Sequence, residues 1–392
     1  MAKMKIKKTT FQIWLLITIL FDFFEPLYIA KVEVFHLIAQ GLTLISVVYL
    51  LYKLKCKNNQ ISPITKSTIP YLVFIVITTF INNNMEFSTI RVLLSILCVA
   101  ISFDVFGFSK MRKALFSLFS IMITTNLMLH FFANGYIESV VGIGGWFLSG
   151  SNALIVYTFP AICVSIMSYD LKEGRIIPLL VIAECIYTSV LSDTATSIFA
   201  LLVVVILWVS EKIIKKNLLN IKTGVVVIAL VFILVVILRI QTKSSIISYI
   251  VVDLLQRDLD FTSRTFIWNE SIKQFLNAPL FGHGFGYSFH VMVSSVGFWA
   301  DHAHNQYLQQ LVQGGVIQFC LFTNIFIKLI KEIKKQNNLN SITVTVPVIV
   351  LGIIFLFESY TNAVLYSLIY LFYHYCRYLR SSCNSESNAP LH

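Results

Sequence analysis

Residues 223–241 read TGVVVIALVFILVVILRIQ, an apolar run broken only at Arg239. As a helix it would extend about 28 Å, close to the hydrocarbon thickness of a bilayer. The same kind of run recurs along the chain, at 11–30, 34–52, 67–82, 88–107, 114–133, 151–168, 176–192, 195–210, 305–328, 342–358 and 361–377. The 67–82 run is the shortest in apolar content, because it contains Pro70 and ends in Asn82-Asn83-Asn84. The 392-residue chain is 57% hydrophobic and 12% charged, about half the charge of a soluble domain. Strand alternation is absent, which argues against a β-barrel. The expected fold is all-α: a polytopic membrane protein of about 12 transmembrane helices with one large extracytoplasmic loop before the last three.

The formal charge of +11 would suggest nucleic acid in a soluble protein, but its placement gives another reason. Most basic residues fall in alternate connectors, among them Lys3, Lys5, Lys7, Lys8, Lys53, Lys55, Lys110, Arg112, Lys113, Lys172, Arg175, Lys212, Lys215, Lys216, Lys331, Lys334, Arg377 and Arg380. The positive-inside rule then puts both termini in the cytoplasm and the loop on the outer side of the membrane. The expected organisation is helices 1–9 over residues 1–241, the loop over 242–303, helices 10–12 over 304–380 and a cytoplasmic tail over 381–392. The first apolar run carries Asp22 and Glu25 and lacks a small-residue cleavage site, so it reads as a retained helix. Seven cysteines lie in helices or inner segments, with no metal or disulfide pattern.

The polar interruption from Phe261 to Gly315 concentrates the chemistry, including His283, His290, His302 and His304, half of the chain's eight histidines. Thr262 or Ser263 can cap a helix that ends before Pro279, with Trp268, Ile272, Phe275 and Leu276 as its buried stripe. Arg264 stands one turn before Trp268 on the same face. Its guanidinium fork suits phosphate oxygens, and the competing reading is an arginine snorkelling to headgroups. Arg239 and Arg91 carry the same ambiguity. His304 can titrate near neutral pH and serve as a general base, or it can merely cap a helix end. Asp301 can cap that helix and orient an imidazole. The run Gly282-His283-Gly284-Phe285-Gly286 allows backbone amides close to a phosphate or sugar, and equally makes a plain turn. Irregular spacing and the lack of a nearby cysteine disfavour a metal site. Asn134 to Ser149, with Gly142, Gly144 and Gly145, reads as an irregular or re-entrant connector, and Ser248 to Leu259 as a helix on the bilayer surface. Asp22, Glu25, Glu184 and Glu358 are carboxylates inside apolar runs and so functional candidates by cost alone.

The ordered set Ser263-Arg264-Thr265-Phe266-Ile267-Trp268, Asn277-Ala278-Pro279-Leu280-Phe281-Gly282-His283-Gly284-Phe285-Gly286, His304-Asn305-Gln306-Tyr307-Leu308-Gln309 and Gly314-Gly315 resembles the signature region of the O-antigen ligase and Wzy-type polymerase superfamily. The resemblance implies a glycosyltransferase without metal or other cofactor, acting outside the membrane on polyprenyl-diphosphate-linked oligosaccharides. It implies His304 as the base on the acceptor hydroxyl and Arg264 as ligand of the donor diphosphate, with Arg239 matching less formally as the family's arginine shortly before the loop. Arg91 is a third candidate for the diphosphate from its own position. Trp268, Asp301, Asn305, Gly282, Gly284 and Gly286 would support them. A flippase and a chain-length regulator of the same pathway are the implied protein partners, and no nucleic acid is. One departure is visible: where many members carry a further arginine, this chain reads Leu191-Ser192-Asp193-Thr194-Ala195-Thr196-Ser197, so either Arg91 or Lys243 replaces it or diphosphate binding here uses fewer cations. A repeat-unit polymerase is the expected activity. A ligase for the finished glycan is the alternative, and a flippase the alternative of a different class, which should show symmetric halves that are absent here.

Overall fold

Helix α7 (Ile155–Asp170) is the centre of the molecule, because every residue from Ile155 to Ser168 is buried. A helix that is apolar all round has no face to offer solvent, so its neighbours must enclose it. A computed structural model of the chain describes residues 2–56, 60–214, 220–238, 264–288, 291–293, 298–300, 302–335 and 342–387. The preceding helices are α1 (Ala2–Phe23), the short α2 (Leu27–Lys31), α3 (Glu33–Cys56), α4 (Pro63–Ile81), α5 (Phe87–Phe106) and α6 (Phe108–Val141). After α7 come α8 (Ile176–Leu191), α9 (Ala195–Ile214) and α10 (Ile221–Val231), which continues as a π-helical turn, Phe232–Ile237. The remaining helices are α11 (Arg264–Asn277), α12 (Gln306–Lys334), α13 (Ile342–Phe357) and α14 (Ala363–Ser387).

A helix stands at each span predicted from the sequence. Six are long and apolar enough to cross a membrane: α3, α4, α5, α6, α9, and α7 taken from Ser151. Their outward faces are apolar too. On α3, Val34, Leu37, Ile38, Ile45 and Val48 are exposed, a surface that suits lipid and would drive association in water. The chain is therefore a multi-pass membrane protein.

Three local expectations change. Helix α4 begins four residues earlier than the apolar run, because Ser62 caps it by accepting from Thr65 N and Pro63 fills the first turn. It runs through Pro70 unbroken. Half of the supposed irregular connector is helical: α6 kinks at Ala133, continues to Val141 and stops at Gly142 with φ 100°. The turn beyond it is tied to α2 by Leu27 N and Tyr28 N, which donate to Leu148 O and Phe147 O. The described residues are helical as expected apart from a short antiparallel ribbon of β1 (Val291–Val293) and β2 (Phe298–Ala300), paired Val291↔Ala300. β-Branched and aromatic residues fit a pleated ribbon, and the helical period found elsewhere is missing here. The expected surface helix over 248–259 lies outside the described residues.

The two ends of the bundle differ chemically. At one end the segments expected to face the cytoplasm hold their carboxylates against cations: Lys212 meets Asp170 at 2.8 Å, Arg112 pairs with Glu173, and Arg380 with Glu332. At the other end the connector 358–362, between α13 and α14, touches three polar systems. Tyr360 donates to Asn152 O, and Thr361 accepts from Gln306 Nε2 at 3.0 Å and from Gln310 Nε2 at 3.5 Å, Gln310 in turn accepting from the Tyr71 hydroxyl at 3.0 Å. This connector organises the site.

Candidate active site

Helix α11 brings Arg264 and Trp268 to successive residues of the α13 terminus. Trp268, fully buried, packs with Phe357, their ring centroids 6.5 Å apart. Arg264 Nη2 donates to Glu358 Oε1 at 2.6 Å. The buried stripe of α11 is Ile267, Trp268 and Ser271, with Ile272 and Phe275 partly buried. Leu276, expected in the stripe, is 64% exposed.

Glu358 follows the last turn of α13, its N–H donating to Ile354 O. A carboxylate at a helix C-terminus is opposed by the helix dipole, and this one is also buried. Three groups answer that cost. Arg264 binds Oε1, His304 Nδ1 lies 3.7 Å from Oε2, and the Tyr360 hydroxyl lies 3.4 Å from the same oxygen. Burial, and next the Glu358 carboxylate, push the Tyr360 phenol well above its ordinary value. Tyr360 therefore remains a neutral donor at any physiological pH.

His304 is held in a left-handed backbone conformation, φ 44°. That region is sparsely used by non-glycine residues, although histidine enters it more often than most. The neighbours fix it. Ala303 and Asn305 are fully buried, and Ala303 N donates to Gln309 Oε1 at 2.8 Å. Asn305 caps α12 by accepting from Leu308 N at 3.0 Å, and its Nδ2 donates to Leu356 O at 2.9 Å. One side chain thus fastens the start of α12, beside His304, to the end of α13, beside Glu358. Nδ1 of His304 is buried without a hydrogen bond among the described residues. His302 crosses the His304 ring edge-on at 4.0 Å.

The glycine run has a different use from cradling a ligand. His283 N and Gly284 N donate to Val312 O and Gln313 O, and Val316 N donates to Pro279 O. These are carbonyls and amides near the break of α12 at Gly314 and Gly315. The two backbones touch so closely that a Cβ on Gly282 would lie 2.3 Å from Gly314 N, and one on Gly315 2.3 Å from Leu280 C. The turn is a clasp that locks α11 to α12, with the amides of His283 and Gly284 already used. His283 itself is bound to Gln274 O at 2.8 Å and stacked on Tyr287.

Arg91 is not gathered into this cluster. It lies on α5, 2.5 Å from Glu25 Oε2 and 3.7 Å from Asp22 Oδ1, and also donates to Thr43. Arg239, Asp301, His290 and Lys243 lie outside the described residues. Glu184 accepts from Thr124 at 2.8 Å, away from both groups. The structure thus joins Arg264, Trp268, His304 and Asn305, and adds Glu358 and Tyr360. Glu358 was legible as a costly carboxylate at the end of an apolar run, but its partners lie 54 and 94 residues back in the chain. Nothing in the sequence marked Tyr360.

Beside the site, under Tyr307, an apolar cavity of about 520 Å³ runs between α10, α12 and α13. Phe232, Leu311, Phe322, Val348 and Gly352 are among its walls.

The protein is thus a multi-pass helical membrane protein that carries an arginine, a carboxylate and a histidine together at one end, beside an apolar cavity. Residues 179–323 match the family model described as O-Antigen ligase, and that match supports the O-antigen ligase/Wzy-type superfamily for this chain. The matched segment contains Arg264, Trp268, the glycine clasp and His304, and it ends before Glu358. Proteins of this family are glycosyltransferase-like enzymes of polysaccharide synthesis with lipid-linked substrates. No curated protein matches the chain.

Proposed function

We propose that the protein polymerises polyprenyl-diphosphate-linked oligosaccharide repeat units on the extracytoplasmic side of a bacterial plasma membrane. The observation that carries this reading is Glu358 set between Arg264 and His304. In the proposed step the acceptor sugar hydroxyl gives its proton to His304 as its oxygen bonds to the anomeric carbon of the donor. The bond from that carbon to the diphosphate oxygen breaks, and polyprenyl diphosphate leaves with the electron pair. Arg264 neutralises charge as it develops on the leaving group. Glu358 stabilises the imidazolium that His304 becomes, and Tyr360 holds Glu358. Arg239 adds a second cation to the diphosphate. In a site with apolar walls these charges act with little screening. The chemistry on this reading requires no metal.

The cavity under Tyr307 supports the lipid part of the reading. It is almost wholly apolar and begins three residues beyond His304, where the isoprenoid chain of a donor would enter the membrane. The basic connectors support the proposed sidedness of helices and loop. A flippase that delivers the repeat unit and a chain-length regulator would be its partners. A ligase moving finished glycan uses the same donor and differs only in its acceptor.

The test is deletion of the gene followed by sizing of the lipid-linked glycans. Single lipid-linked repeats should accumulate, and wild-type protein should restore long chains where Arg264→Ala does not. Long lipid-linked chains in the deletion strain would replace the polymerase reading with the ligase. Repeats trapped on the inner leaflet would reject both.

A further inference from the structure

A second cavity lies at the same end of the molecule, between α1, α5, α7 and the start of α14. It measures about 180 Å³, and its walls include Glu25, Arg91, Ser95, Val156, Tyr157 and Asn362. A dry cavity of about 150 Å³ accepts a benzene ring, so this one has room for a single six-membered ring with small substituents. Its lining mixes apolar surface with a few convergent hydrogen-bonding groups, the usual make-up of a small-molecule site.

Charge selects the ligand. Arg91 faces two carboxylates, Glu25 at 2.5 Å and Asp22 at 3.7 Å. His36 also touches Glu25, at 3.1 Å, and Thr43 donates to Asp22 at 2.8 Å. One guanidinium against two carboxylates sums to a net charge of −1, and a proton on His36 would only bring the cluster to zero, so no net positive charge is left for an anion. It leaves a dense set of donors and acceptors for hydroxyl groups. Asp22 Oδ1 is buried with no hydrogen bond of its own, so the cluster holds unused acceptor capacity.

Position ties the cavity to the reaction. Asn362, in its wall, is four residues from Glu358 along the connector, a span of at most about 14 Å. A short oligosaccharide covers such a gap. We infer that this cavity is a saccharide subsite, holding one uncharged pyranose of the acceptor glycan while another sugar of the same glycan meets His304. The inference rests on the glycosyl-transfer reading above and adds to it which part of the acceptor the enzyme recognises.

The test does not use transfer. Methyl glycosides of a neutral hexose and of an N-acetylhexosamine are offered to the purified full-length protein, and contact is read by saturation-transfer NMR. Wild-type protein should give a signal for at least one of them. Ser95→Leu on α5 and Val156→Phe on α7 fill the cavity from two sides without touching the Arg91–Glu25 pair. Each should reduce the signal at least tenfold. Inorganic pyrophosphate should leave the wild-type signal in place. No signal from either glycoside, an undiminished signal in a folded filling variant, or displacement by pyrophosphate would each overturn the subsite. If the filling variants do not fold, the wild-type and pyrophosphate measurements still decide. Glycan sizing in the deletion strain tests the transfer reading separately, so the two can fail independently.

Discussion

Replacing Glu358 by glutamine keeps the shape of the site and removes one charge. If His304 becomes an imidazolium in the transition state, the carboxylate 3.7 Å away stabilises it. Coulomb's law at an effective dielectric constant near 20 gives about 4.5 kcal/mol at that separation. The His304 side chain is 26% exposed, and solvent screening reduces the useful part to roughly 3–4 kcal/mol. At about 1.4 kcal/mol per decade, turnover in Glu358→Gln should fall roughly 100- to 1,000-fold. The same change frees Arg264 from its partner, so the KM for the diphosphate donor should stay the same or fall. The assay is release of polyprenyl diphosphate by purified protein in nanodiscs, at varied donor and acceptor. Glu358→Asp, which keeps the charge but shortens the reach, should lie between wild type and Glu358→Gln. A kcat within threefold of wild type, or a loss wholly in donor KM, would refute the role given to this carboxylate.

His304→Ala should abolish polymer in cells while the protein remains in the membrane at normal abundance, checked by glycan ladders beside an immunoblot. Wild-type ladders would remove His304 from the chemistry. Asn305→Ala loses a helix cap and leaves Leu356 O unpaired, for a cost of about 2–3 kcal/mol. It should lower the melting temperature in detergent, and turnover with it, because it loosens α12 from α13 beside the site. Gly282→Ala puts a Cβ at φ 62° and 2.3 Å from a backbone nitrogen, so size-exclusion profiles should show misassembled protein. Gly286→Ala, also at positive φ but with open space around its Cβ position, should cost only about 1–2 kcal/mol.

Much of the fold was legible because lipid imposes a one-dimensional rule. A segment that crosses hydrocarbon must satisfy its backbone internally and carry apolar side chains, and both demands are met within about 20 residues of sequence. The misjudged boundaries had local causes. Ser62 and Pro63 signalled the start of α4 but stood outside the apolar window, and the helical tail of α6 beyond Ala133 was hidden by the glycines that end it. The glycine run was read as a turn or a ligand cradle, and which of the two applied depended on α12. Only there do the carbonyls of Val312 and Gln313 meet its amides.

The sequence by itself determined a helical membrane protein, the pairing of Arg264 with Trp268 on one helix face, and His304 at a helix entrance. Each of these rests on periodicity or on neighbours in the chain. Tertiary structure decided which charges meet. Glu358 and Glu25 looked alike as carboxylates in apolar runs, yet packing gives one to Arg264 and His304 and the other to Arg91. Which arginine meets which carboxylate is set by how α5, α11 and α13 pack in three dimensions, and residues so far apart in the chain leave no local pattern from which to read it.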